Sequence, residues 1–229
     1  MNIESALLLL ESLLLLATVV LLATSIRESR QRNSLMLEVS RATKTLTRME
    51  YFQAVVDSIS ESEKEVIGVV TGHRLKGVDD ERRISNILKV IGNAVNRGVV
   101  VRFLLPHFHD RLYMGYLYTA AGAEVRYSSC SMVHSIRYNV VDNRLVVMGI
   151  PEAASEEAST NKGHRLPSEA LALIMSQHFY GCWENNINFK TYLAQVMQQS
   201  GASLQTLSQE TGLDIAKLKE LLAVAPISI

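Results

Sequence analysis

Cysteine is scarce in this sequence, with two in 229 residues, Cys130 and Cys182. That excludes a disulfide framework and fits free thiols in a reducing compartment. An excess of either charge is also missing, since 23 Lys and Arg stand against 23 Asp and Glu. Such a balance supplies neither the global basic surface of a nucleic-acid binder nor an acidic surface for a basic partner. No Gly-rich phosphate loop of the nucleotide-binding kind is present, and no cofactor is expected. Two local absences also matter: no Lys or Arg precedes the first apolar run, and neither Gly nor Pro interrupts residues 27–60.

The apolar run occupies residues 6–26 and is about as long as a helix needs to cross a bilayer. A cleaved signal peptide is the rival, with Ala23 and Ser25 as a cleavage site. The acidic Glu4 and the length of the run favour a retained anchor. Arg27, Arg30, Arg32, Arg41, Lys44 and Arg48 all follow the run, so the positive-inside rule puts the bulk of the protein in the cytoplasm. Glu11 inside the run is costly in hydrocarbon; it either reaches the interface or meets a polar group on a neighbouring membrane helix. Beyond it, Leu35, Val39, Ala42, Leu46, Met49, Gln53 and Val56 step by four and three, a coiled-coil-like seam on a helical stalk over 27–60. Such a stripe pairs with a copy of itself or packs back on its own domain.

A globular α/β domain is expected over 61–185. Glu65–Thr71 reads as a strand buried on both faces, Glu81–Arg97 as an amphipathic helix ended by Gly98, and Val99–Leu105 as a second strand. A helix over Asp110–Ala121, a strand over Ala123–Ser128 and a helix closing at Trp183 continue the alternation. This predicts a mostly parallel sheet covered by helices on both sides, to which a hairpin over Val133–Gly149 adds its strands to make a mixed sheet.

The centre of the domain is the stretch Val133–Gly149, read as two strands joined by a turn at Asp142-Asn143. It resembles the phospholipase D superfamily signature: His, any residue, Lys, four residues, Asp, six residues, Gly. Arg137, Asp142 and Gly149 keep that spacing, but Arg137 stands for the Lys, Ser135 for the His, and Glu152 for the Asn that follows the Gly. The resemblance covers roughly residues 50–185, including Phe179 and Trp183 on the closing helix. Residues Phe52–Gly68 are also similar to TrmB-type effector domains, in which this fold binds a ligand without hydrolysis. In the family the His forms a phosphohistidine, the Lys binds phosphoryl oxygens and the Asp supports the His. Strand alternation puts Ser135, Arg137 and Asn139 on one face and His134 on the other, so no catalytic residue is expected. If the domain is active, a bulge turns His134 back as nucleophile, with Arg137 as phosphate ligand and Asp142 as orienting carboxylate.

Gly72-His73-Arg74 and Gly163-His164-Arg165 are a repeated tripeptide in expected loops. Arg74, Arg137 and Arg165 are the anion-binding candidates, through forked hydrogen bonds. His107, His109 and Asp110 are too few to define a metal site, and no metal is expected. Helical segments near 189–199, 204–210 and 215–223 form a small tail, with Gly212 at a turn and Asp214 as N-cap, similar to a helix-turn-helix or ubiquitin-associated unit. Its balanced charge favours protein over DNA. The whole reads as a single-pass, cytoplasm-facing, non-catalytic binding, scaffold or accessory subunit, a homo-oligomer or part of a membrane complex. The alternative is a single-motif phosphodiesterase, a nuclease or phospholipase, active as a homodimer. A third reading is a subunit that only packs against an integral complex.

Overall fold

A computed structural model describes residues 3–42, 44–70, 78–151, 160–201, 203–211 and 213–223. The chain forms two compact units, Met1–Ala42 and Thr43–Ile229.

The first unit is one helix, α1 (Ile3–Ala42). It holds the stretch Glu11–Arg30, which is long and apolar enough to cross a membrane by length and composition. Its leucines and valines from Leu13 to Leu22 are exposed, as a lipid-facing surface would be.

The second unit opens where the stalk was expected to continue. Lys44–Thr47 is a strand, β1, and a new helix, α2 (Arg48–Ser60), follows it. The break has a local cause. Thr47 Oγ1 accepts from Glu50 N–H at 3.4 Å, and Thr47 N–H donates to Glu50 Oε2 at 2.9 Å, a reciprocal capping box. The seam therefore fails at its centre: Leu46 is buried at 3% exposure in the sheet, while Met49, three residues on, is 72% exposed.

The remaining elements follow the alternation. They are β2 (Glu65–Val69), α3 (Val78–Asn96), β3 (Val100–Pro106), a short turn of 3-10 helix (His109–Arg111), α4 (Leu112–Ala120) and β4 (Glu124–Ser128). Then come α5 (Ser131–Ser135), β5 (Arg137–Val141), β6 (Leu145–Pro151), β7 (Thr160–Leu166), α6 (Glu169–Trp183) and β8 (Ile187–Asn188). Gly98 and Gly122 end α3 and α4 at φ +87° and +96°, a backbone region that glycine enters without penalty.

Among the described residues these strands form one mixed sheet in the order β1-β7-β6-β5-β2-β3-β4-β8. Only β2, β3 and β4 run parallel to one another; every other neighbouring pair is antiparallel. The segment 160–166, expected within a loop, is β7, in the interior of the sheet between β6 and β1. Tyr138 faces α6, where its hydroxyl donates to Met175 O at 3.3 Å. Arg137 and Asn139 face the opposite side, which α2, α3 and the tail helices cover.

The tail forms α7 (Phe189–Ser200), α8 (Leu204–Thr211) and α9 (Ile215–Ala223). Asp214 Oδ1 caps α9 by accepting from Lys217 N–H at 2.6 Å, while Gly212 lies outside the described residues. Tyr192, Leu193, Val196, Leu207, Leu213 and Leu218 are all buried in the same cluster as the sheet. The tail is thus a layer of the main core, not the separate small unit that the sequence suggested.

Candidate functional site

The parallel strands β2, β3 and β4 end at Val69, Pro106 and Ser128 along one edge of the sheet. Because β5 is antiparallel to β2, with Val69 opposite Tyr138, Arg137 begins its strand at that same edge. Gly149 lies opposite Arg137, and Gly163 opposite Gly149, so the end of β6 and the start of β7 complete it. The His109–Arg111 turn and α5 follow directly from β3 and β4. In open α/β sheets this carboxyl edge is where ligands bind.

A packing constraint defines one wall. A Cβ built on Gly163 would sit 2.5 Å from Tyr51 Cδ2 and 2.9 Å from Tyr51 Cβ, so only glycine leaves room for Tyr51 of α2 there. Arg137 shares that row and face. Burial pushes the Tyr51 hydroxyl up to about 12, with the charge of Arg137 working the other way. Burial also lowers Arg137 from its ordinary value; Tyr51 opposes this and the nearby Arg111 adds to it.

Two guanidinium groups therefore share this edge. Arg111 is 4% exposed, holds Asp110 Oδ2 at 2.5 Å and lies 5.7 Å from the centre of the Phe108 ring. Phe108 meets His134 edge-on at 5.0 Å, and His107 packs against Tyr192 at 4.3 Å. Burial, then the neighbouring His109 and His134, lower His107 below its usual range. The edge thus offers forked cationic donors, imidazoles and aromatic faces, a set suited to an anion.

The residues expected at the site are distributed unevenly over this geometry. Arg137 is half-buried at the edge, and Arg74 lies outside the described residues. Arg165 is an exposed residue of β7 opposite Val147, two positions beyond Gly163 and away from the edge row. Arg111 takes the place beside Arg137 that the sequence had offered to Arg165. The hairpin is as expected, with Asp142 and Asn143 at φ 50° and 53°, the left-handed pair of a tight two-residue turn. The residues before it differ. His134 and Ser135 are in α5, not in a strand, so the alternation argument does not apply to them. His134 is exposed, and Ser135 Oγ donates back to Ser131 O at 3.0 Å.

Asp142 differs most from the role that the signature suggests. Its carboxylate accepts from Glu63 N–H at 3.1 Å, Lys64 N–H at 2.8 Å and Glu65 N–H at 3.0 Å, and so fastens the entry to β2. Burial alone would raise its pKa, but these three bonds, with Arg144 in addition, hold it below the usual carboxylate range. Asp142 also lies at the far end of β5 from His134. The five-residue strand separates its two ends by about 14 Å. The structure does not bring His134, Arg137 and Asp142 together.

No family model matches this chain, and no curated protein matches it. Solved structures do. Nuc from Salmonella typhimurium, a phospholipase D family member, superposes at TM-score 0.46 with 19% identity over 64% of this chain and 96% of Nuc. NucT from Helicobacter pylori gives 0.48 and 13% over 64% and 98%. In fold, this chain is similar to phospholipase D family structures. TrmBL2, an archaeal chromatin protein with a novel mode of DNA binding, gives 0.46 and 13% over 74% of this chain and 65% of its own.

Little in the sequence signals α5, Tyr51 or Arg111 as parts of the site. Five residues are too few for helical periodicity to be visible, and His109-Asp110-Arg111 drew attention to its imidazoles instead of its guanidinium. The signal for Tyr51 was a glycine, Gly163, in a stretch read as a loop.

Proposed function

We propose that the second unit is a phospholipase D-like binding domain. In this reading it takes an anion of the phosphate-ester class at the carboxyl edge and does not hydrolyse it. The observation that carries this reading is the employment of Asp142. A carboxylate already accepting three backbone N–H groups at the far end of β5 is not available to orient an imidazole beside Arg137. Ser135 is spent on its own helix, and among the described residues no carboxylate hydrogen-bonds His134. In this reading Arg137, with Arg111 near it, supplies the positive charge of the edge.

In the same proposal α1 is a retained membrane anchor. The basic residues from Arg27 to Arg48 keep the domain on the cytoplasmic side, and the chain works as a homo-oligomer or as an accessory subunit of a membrane complex. The test uses the full chain in mild detergent, with bis(4-nitrophenyl) phosphate as probe and calorimetry as readout. Binding that falls at least tenfold in Arg137→Gln, with no nitrophenolate released, supports the reading. Equal binding by the variant contradicts it.

One observation favours a second reading, a homodimeric phosphodiesterase. His134 is exposed at the same edge, where a partner copy's carboxylate could meet it. Nitrophenolate release that depends on His134 would establish that reading instead.

A further inference from the structure

On the opposite face of the sheet, Cys130, His178 and Cys182 converge. Cys130 N-caps α5 after β4, while His178 and Cys182 are four residues apart on one face of α6. His178 Nε2 lies 3.7 Å from Cys130 Sγ and 3.6 Å from Cys182 Sγ, and the three ligand atoms lie within 4.8 Å of one another. We propose that these three side chains form a zinc-class metal site, with two thiolates, one imidazole and a fourth position left to water or an incoming ligand.

Three observations carry this. The first is spacing. Zinc bonds of about 2.3 Å to sulfur and 2.0 Å to nitrogen at tetrahedral angles put S and N about 3.5 Å apart and two sulfurs about 3.8 Å apart. The sulfur to nitrogen distances here already match, and all three donor atoms lie within 4.8 Å of one another. The second is convergence. One imidazole nitrogen faces two sulfurs at once, and Cys182 is within hydrogen-bond reach of Cys130, so the three donor atoms surround one point.

The third is the shell behind the ligands. His178 Nδ1 lies 3.1 Å from the Tyr138 hydroxyl, which donates its proton to the Met175 carbonyl. With the hydroxyl proton on that carbonyl, the oxygen accepts from Nδ1–H and the lone pair of Nε2 is left for the sulfur side. This is the outer-shell arrangement that orients metal-bound histidines. Cys130 is held as well: its N–H donates to Ser128 Oγ at 3.2 Å, and Asn186 Nδ2 donates to the same hydroxyl at 3.0 Å. The soft donor set selects zinc over magnesium or calcium. All three ligands are half-buried, so an ion can reach them from solvent.

The experiment takes the full chain, purified in mild detergent under reducing conditions and stripped by chelator, and titrates it with zinc(II) and with cobalt(II). One equivalent of zinc retained through gel filtration, and a thiolate-to-cobalt charge-transfer band, are expected. Both should be lost in Cys130→Ser and in Cys182→Ser, with the circular dichroism of each variant unchanged. Tyr138→Phe should keep the charge-transfer band but weaken binding about 10- to 100-fold, as loss of an outer-shell partner does. Protection of both thiols from alkylation by zinc in the unaltered chain gives a readout that needs no variant. Substoichiometric zinc, a cobalt spectrum without the thiolate band, binding that survives in both serine variants, or a stable Cys130–Cys182 disulfide in its place overturns the proposal.

Discussion

At the scale of single residues, the chemistry is decided by what each polar group is already doing. Asp142 keeps the spacing of a catalytic signature, yet its carboxylate anchors three backbone N–H groups, and charge-assisted bonds of that kind contribute about 1.5–3 kcal/mol each. Asp142→Asn should lower stability by about 2 kcal/mol at neutral pH. Because the folded carboxyl is held below its unfolded value, this stabilisation is present above the ordinary carboxylate pKa and is lost as pH falls through the folded one. The gap between the two proteins in urea melts should therefore close as pH drops through and below the carboxylate range; a constant gap would remove the role assigned to the charge. Gly163 gives a second case. Alanine there meets the Cβ and ring of Tyr51 together, so ring rotation alone gives no relief. Gly163→Ala should cost about 1–3 kcal/mol and also weaken anion binding, because Tyr51 and Arg137 share that wall.

At the scale of elements, hydrophobic patterning revealed most of the architecture. The runs around Val66, Val101 and Val125 and the amphipathic stripe of α3 follow from period alone, and the Asp142-Asn143 turn from its two residue types. The misreadings share a physical cause, a tertiary partner that overrides the local signal. Lys44–Thr47 continues a helical stripe in sequence, but pairing with Thr160–Leu166 makes it an edge strand, and Leu46 turns into the core. The capping residues Thr47 and Glu50 lie inside that stripe, where the heptad spacing masks them. Residues 160–166 are polar at every position but Gly163 and Leu166, too little apolar periodicity to announce β7. The tail helices show amphipathic stripes but nothing that says which surface covers them. Since Leu207 and Leu218 are fully buried in the common core, Leu207→Ala and Leu218→Ala should each cost about 2–5 kcal/mol. The whole second unit should still unfold in one transition; a separate early loss of tail helix signal, with the sheet unaffected, would contradict the shared core.

At the scale of the molecule, an apolar helix long enough to cross a bilayer precedes a mixed α/β domain, and the proposed reading gives the helix the role of anchor and the sheet edge that of binding site. Membrane attachment predicts that the full chain stays with the pelleted membrane fraction through alkaline carbonate washing, where a peripheral protein is released. The central claim is that this edge binds a phosphate ester and does not turn it over. The most direct measurement is nitrophenolate release from bis(4-nitrophenyl) phosphate by the full chain in mild detergent, alongside its His134→Ala variant. The account predicts no release above the uncatalysed rate from either protein, with probe binding retained by both. Turnover by the unaltered chain that disappears in His134→Ala would contradict it.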